Sequence, residues 1–268
     1  MAIEEKRKIS DAAQTLRVMS LNLRFGLADD GPNSWVYRRK AYTPLLKSHP
    51  GDFYAFQEAN DFQVSFLAGM LPDYDYIGKR SPAPDFWQNN IIFFHRRWQV
   101  IAHEHFYLSD TPDVPSKFCK SKWPRQCTLG VFRYGRCKLV VINTHLDFES
   151  EVQVRSAKLI RRRLANYTGK KLPAVLMGDF NATPASQCYA ILTFGRENNG
   201  PQFQNAFEQP FPGTHHGFSG RSQGGCIDWI LYQGPLEVKS ARVIIRRFNG
   251  IYPSDHFPIV VTFKWVKP

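Results

Sequence analysis

The feature that most restricts how this chain can fold is a recurrence of short apolar runs, many of which end against polar groups. RVMSLNL, DFYAFQE, NIIFFH, TLGVFRY, KLVVINTHL, PAVLMGDF, CIDWILY, ARVIIRRF and PIVVTFKW are spread over the full 268 residues. β-Branched and aromatic runs of about 4–8 residues are the pattern of buried strands. Helix-like stretches alternate with them: WVYRRKAYTPLLKS, DFQVSFLAGML, ESEVQVRSAKLIRRRLANY and ASQCYAILTF. Strands and helices interleaved without a break in composition predict one α/β domain over 16–268, with sheets at its centre. Residues 1–15 read as a polar N-terminal extension.

Composition narrows the class. With 43% hydrophobic and 22% charged residues the chain can fill a core and is not of the disordered type. No apolar run approaches the roughly 18–20 residues of a membrane-spanning helix. The start MAIEEKRKISDAAQTLR has no apolar segment behind its basic residues. The expectation is therefore a cytoplasmic protein without a secretory signal, and a monomer. Cys119, Cys127, Cys137, Cys188 and Cys226 form no CxxC pair, which predicts free thiols rather than a zinc cage or a disulfide framework. His103 and His105 alternate along a strand-like stretch and are read as strand residues, not zinc ligands. Lys plus Arg exceed Asp plus Glu by 35 − 23 = 12. Such a charge steers phosphate-rich partners at long range, although solvated surface accounts for most of it. Arg161, Arg162 and Arg163 are expected to face water from a helix.

The run ends carry the chemical information. Val18–Leu21 meets Asn22, Phe53–Phe56 meets Gln57 and Glu58, and Val140–Ile142 meets Asn143, Thr144, His145, Leu146 and Asp147. Ala174–Met177 meets Gly178, Asp179, Phe180 and Asn181. Two later runs carry the polar group at their start: Asp228 before Trp229–Ile230, and Ser254, Asp255 and His256 before Phe257–Val261. Each piece alone is an ordinary turn, cap or exposed loop. If the last two strands run antiparallel to the first four, all six groups collect at one rim, and strand ends are where α/β proteins place their chemistry.

The order Asn22, Gln57-Glu58, Asn143-Thr144-His145-Leu146-Asp147, Gly178-Asp179-Phe180-Asn181, Ile227-Asp228, Ser254-Asp255-His256 resembles the endonuclease/exonuclease/phosphatase (DNase I-like) superfamily from about Leu16 to Trp265. Asp30–Trp35, Leu108–Pro112 and Pro124–Thr128 further resemble a bacterial branch of largely uncharacterised members. The resemblance implies a four-layer α/β sandwich, two packed mixed sheets flanked by helices. It also implies a metal-dependent hydrolase acting on a phosphodiester or phosphomonoester. Mg²⁺, or Mn²⁺ on the same oxygen ligands, is expected on Glu58 with Asn22 and Asp255. Asp179 is expected to activate the attacking water, with Asn181 pointing to the same side of an extended segment. His256, oriented by Asp228, and His145 are expected to stabilise the transition state. Asn90, Arg125, Asn143 and His216 are the candidates for substrate contact. Cys226 and Arg24 depart from the nuclease pattern. The substrate is a phosphate ester, with nucleic acid and small sugar, inositol or lipid-headgroup phosphates all open. The alternative is a non-catalytic nucleic-acid-binding protein on the same scaffold.

Overall fold

A computed structural model of the chain describes residues 15–81, 83–168, 172–194, 202–222 and 224–266. Of the extension expected over 1–15, residues 1–14 lie outside the described residues, and Thr15 already begins a strand. The strands are β1 (Thr15–Asn22), β2 (Phe53–Ala59), β3 (Tyr74–Ile77), β4 (Asn89–His95), β5 (Gln99–Tyr107), β6 (Gln126–Tyr134), β7 (Cys137–His145), β8 (Ala174–Asp179), β9 (Gln204–Asn205), β10 (Asp228–Gln233), β11 (Leu236–Val243) and β12 (Ile259–Trp265). The helices are α1 (Trp35–Arg38), α2 (Tyr42–Ser48), α3 (Asp61–Met70), α4 (Ser150–Thr168) and α5 (Gln187–Phe194). They form two six-stranded sheets, ordered β11-β12-β1-β2-β4-β3 and β5-β6-β7-β8-β10-β9.

Side-chain alternation sorts these strands into layers. Leu16 and Val18 of β1, Phe53 and Ala55 of β2, Val141 of β7, Val175 and Met177 of β8 and Ile230 of β10 form the core between the sheets. The opposite parity packs outward. Met19, Leu21, Tyr54 and Phe56 meet Trp35, Tyr42, Leu45 and Leu67 of α1–α3. Val140, Ile142, Leu176 and Trp229 meet Ala157, Ile160 and Leu164 of α4 and Leu192 of α5. Two sheets with helices outside each make the four layers that the resemblance implied.

β1 runs parallel to β2 and antiparallel to β12. β7 runs parallel to β8, and β10 runs antiparallel to β8. The C-terminal ends of β1 and β2 therefore share a rim with the start of β12, and those of β7 and β8 with the start of β10. Continuing the inward parity by one or two steps places Asn22, Gln57, Asn143, His145, Asp179 and Asp228 on facing sides of that rim.

Some expectations are corrected. The ARVIIRRF run contributes only Ala241–Val243 to β11, which starts earlier, at Leu236, because the alternating LEVKSARV segment is an edge strand with one solvated face. Ile245 beyond it is exposed. The long helix expected over 35–48 is divided by a short 3-10 turn at Arg39–Ala41. Arg161 does not face water: it is buried, and its Nη1 donates to the carbonyl of Ile191, 2.9 Å away. Arg163 is half-buried and pairs with Glu104 and Asp113. All five cysteines are free. His103 and His105 lie in β5 as read, with His105 Nδ1 3.2 Å from Thr128 Oγ1.

Candidate active site

Asp179 ends β8, on the inner face. The glycine before it permits the approach: Gly178 has φ +151°, and a Cβ there would fall 2.0 Å from the Thr144 carbonyl oxygen of β7. Parallel pairing sets His145 beside Asp179 and antiparallel pairing sets Asp228 opposite it. The other sheet supplies Asn22, whose Nδ2 donates to Asp179 Oδ2 at 3.0 Å and to Glu58 Oε1 at 2.9 Å, while its Oδ1 accepts the Arg24 N–H at 2.8 Å. Those partners fix the amide orientation, since carboxylates only accept and a backbone N–H only donates. Asn22 thus turns its nitrogen, not its oxygen, toward Glu58. The second oxygen of Glu58 accepts the Phe25 N–H at 2.7 Å.

The two histidines flank Asp179. His145 Nε2 lies 3.4 Å and His256 Nε2 3.8 Å from its Oδ2. His256 Nδ1 is 2.8 Å from Asp228 Oδ2. Asp228 is seated by Thr214, whose hydroxyl oxygen accepts the N–H of both Ile227 and Asp228 at 3.1 Å. Ser254, Asp255 and His256 do not begin β12 but precede it, in a loop where His256 pairs with His215 through the backbone.

This burial and charge separate the two rings. Burial lowers His145 well below 6.5, and Arg125 and His256 add to the effect. Burial also opposes charge on His256, but Asp228, Asp179 and Asp255 outweigh it and raise it to about 10. One ring is neutral and the other an imidazolium near neutral pH. Burial, with Asp228 beside it, raises Asp179 from 3.8 to about 7, against the pull of His256.

The remaining candidates divide by depth. Arg125 reaches the site: its Nη1 is 3.1 Å from both nitrogens of His145 and its Nε 3.8 Å from Asp147 Oδ2. Asn181 also reaches it, donating from Nδ2 to His145 Nε2 and to the Leu146 carbonyl, each at 3.0 Å. It does so from a left-handed turn with φ +47°, not from the extended segment expected. Asn143 is fully buried one layer below His145, accepting from Gln57 Nε2 at 2.7 Å and donating to the carbonyls of Phe56 and Ile91. Asn90 donates to the Gln126 carbonyl at 2.8 Å. His216 is buried and stacked on Phe257, with ring centroids 3.9 Å apart. These three are braced within the walls behind the rim.

Sequence reading missed Thr214, Ser121 and His215. Ser121 Oγ lies 2.6 Å from Asp147 Oδ2, and so holds the carboxylate that faces Arg125. His215 packs against His256 with ring centroids 4.8 Å apart. The adjacent pair of histidines was the one available signal for His215. Thr214 and Ser121 are small hydroxyls in loops and carry none.

Two groups of side chains lie close enough to hold a cation once His256 gives up its proton. Asp179, Asp228 and His256 bring one donor atom each within 4.8 Å of one another, as do His215, Asp255 and His256. Glu58 keeps 15% of its side chain exposed at the mouth of this group.

The sequence matches the model of the endonuclease/exonuclease/phosphatase family over residues 19–256. The chain belongs to that family. Its members are hydrolases of phosphate esters. A family protein from Bacteroides thetaiotaomicron superposes with a TM-score of 0.82 at 28% identity, covering 94% of this chain and 95% of that one. A mannosyl-6-phosphatase from the same species superposes with a TM-score of 0.81 at 28% identity, covering 92% and 99%. An uncharacterised protein of Acanthamoeba polyphaga mimivirus is 23% identical over 276 residues, covering 93% of this chain and all of that protein. No helix among the described residues is long and apolar enough to cross a membrane.

Proposed function

We propose that this chain is a Mg²⁺- or Mn²⁺-dependent phosphoesterase whose preferred substrates are small phosphate monoesters. The observation that carries the reading is the convergence on Asp179 Oδ2: Asn22 Nδ2 at 3.0 Å, His145 Nε2 at 3.4 Å and His256 Nε2 at 3.8 Å, contributed by both sheets. A buried, raised carboxylate between a neutral and a charged histidine is the kind of arrangement that clusters at functional sites, which favours catalysis over a non-catalytic scaffold.

Phosphate esters resist hydrolysis because their own negative charge repels nucleophiles, so a catalyst must neutralise charge and position water. Asp179, held by Asn22 and the Asn181 N–H, takes the proton of the attacking water. His256, kept charged by Asp228, donates from Nε2 to a non-bridging phosphate oxygen. Neutral His145, fixed by Asn181 and Arg125, borders the opposite side of the phosphate, and the Arg125 guanidinium adds charge there. Glu58 is the principal cation ligand, and Asn22 acts by orienting its carboxylate. A bound divalent ion supplies Lewis-acid stabilisation of the phosphate oxygens and of the leaving group.

The preference for monoesters draws on the mannosyl-6-phosphatase relative, whereas the net charge of +12 would equally attract nucleic acid. A panel assay separates the two. Plasmid DNA, abasic duplex, RNA, bis-p-nitrophenyl phosphate and phosphorylated sugars and inositols are offered with Mg²⁺ or Mn²⁺, with an EDTA control. Release of phosphate from a sugar phosphate, stopped by EDTA and restored by Mg²⁺, is the expected result. Hydrolysis unaffected by EDTA, or turnover of none of the panel, contradicts the reading.

A further inference from the structure

Asp255 is not an open ligand. Its Oδ2 lies 3.7 Å from Arg24 Nε and 4.0 Å from His215 Nε2, and its Oδ1 is 3.1 Å from Ser254 Oγ. Arg24 is itself locked in place. Its guanidinium forks onto Asp30, with Nε–Oδ2 at 3.0 Å and Nη2–Oδ1 at 2.8 Å. Its backbone is left-handed, φ +58°, a conformation that persists only where the surroundings over-determine it. The Arg24 carbonyl accepts from Arg38 Nη2 at 2.8 Å and from Gln63 Nε2 at 3.2 Å. Arg38, fully buried, also donates to the Leu23 carbonyl at 2.6 Å and the Pro253 carbonyl at 3.0 Å, so it fastens residue 24 to the segment that carries Asp255. Asp30, Asp255 and Glu58 all favour the charged guanidinium.

We propose that Arg24 is a built-in counter-cation for Asp255, so that the rim takes one divalent ion, on Glu58, and no second ion on Asp255. This rests on the phosphoesterase reading above. A second ion on Asp255 would have to compete for that carboxylate with Arg24, whose Nε lies 3.7 Å from its Oδ2 and whose charge the fork onto Asp30 offsets only in part. Arg24 supplies its positive charge permanently, in a form that chelators cannot remove.

The test is calorimetric titration of Mn²⁺ into chelator-stripped protein without substrate, with the electron paramagnetic resonance of bound Mn²⁺ as a second readout. Wild type is expected to bind one Mn²⁺ per chain. Arg24→Gln is expected to bind the first ion about five- to tenfold more tightly and to show a second event. That event should vanish in Arg24→Gln/Asp255→Asn. Arg24→Lys, which keeps the charge, should bind one. Asp255→Asn in the otherwise native chain removes a nearby charge and not a ligand, and is expected to weaken Mn²⁺ binding by less than about tenfold. Two Mn²⁺ on wild type, an Arg24→Gln titration that matches wild type, or a more than tenfold loss in Asp255→Asn would each overturn the proposal. If hydrolysis in the substrate panel stays metal-dependent in that case, the phosphoesterase reading survives. Absence of any Mn²⁺ binding together with absence of hydrolysis would sink both.

Discussion

The two ends of the sandwich each bury an aspartate, and they treat it in opposite ways. At the far end Asp52, only 2% exposed, accepts the Arg17 N–H on one oxygen and the Arg97 guanidinium and Trp98 Nε1 on the other. At the rim Asp179, 1% exposed, has one donor per oxygen, from Asn22 and the Asn181 N–H, and shares its surroundings with the carboxylate of Asp228. Among the described residues Asp228 Oδ1 has no donor at all. The backbone shows the same contrast. Arg24, Glu58 and Asn181 at the rim have positive φ, and none of the residues that bond Asp52 does. A saturated carboxylate stabilises a fold. An under-bonded one among strained neighbours costs stability and stays available for chemistry.

That contrast can be broken by substitution. Asp179→Asn and His256→Ala should each lower kcat by about 10³-fold or more; Asp179→Asn should melt at or above wild type, whereas His256→Ala, which strips the buried Asp228 carboxylate of its partner, should melt lower. Near-native turnover in either would remove the assigned roles. Gly178→Ala should fail at both ends of the comparison: the new Cβ must push β8 off Thr144, costing roughly 4 kcal/mol of stability and displacing Asp179. Denaturant titration with parallel kinetics checks this. Asp52→Ala should cost about 3 kcal/mol, since it strands the Trp98 and Arg17 donors. Its kcat should remain within about twofold of wild type at temperatures where it is folded. A large loss of kcat would mean that the far end is coupled to the chemistry.

The smallest expected effect is in pH dependence. The fold raises Asp179 above its ordinary value, so the stability linked to its proton is complete below about pH 4 and is lost as pH rises through about 7. His256 carries the same sign, with its contribution complete below about 6.5 and lost through about 10. In EDTA these two groups should therefore give the melting temperature a downward component between pH 5 and pH 8, against the buried His145, His215 and His216, whose lowered values add stability as pH rises towards 6.5. In Asp179→Asn that downward component should shrink, so the melting temperature falls less or rises more than in wild type over this range. An unchanged slope would show that Asp179 ionises as an ordinary exposed aspartate does.

Much of this was legible before any coordinates, because strand parity is a strict rule. Asn22, His145 and Asp179 follow apolar inward-facing residues by even steps, and Asp228 precedes one, so their convergence required only that β10 and β12 run antiparallel to their neighbours. Depth was not legible. Asn143 and His145 share a parity and differ by one layer, and that layer separates a buried brace from a group at the rim. Orientation was also hidden: Asn22 could offer oxygen or nitrogen to Glu58 until the Arg24 N–H was seen to take the oxygen. The edge strands β3 and β9 are too short, and β11 too polar on its solvated face, to stand out as apolar runs. Arg161 was misjudged because its charge suggests water, whereas its reach allows it to cap the carbonyls of α5 from inside.

The central claim is that the rim gathers a cation and a phosphate on residues from both sheets. It is tested most directly by anomalous diffraction from crystals soaked in Mn²⁺ and phosphate. The account predicts a manganese peak on the Glu58 carboxylate, with phosphate oxygens against His145 and His256. A manganese peak away from Glu58, or phosphate bound clear of both histidines, would contradict it.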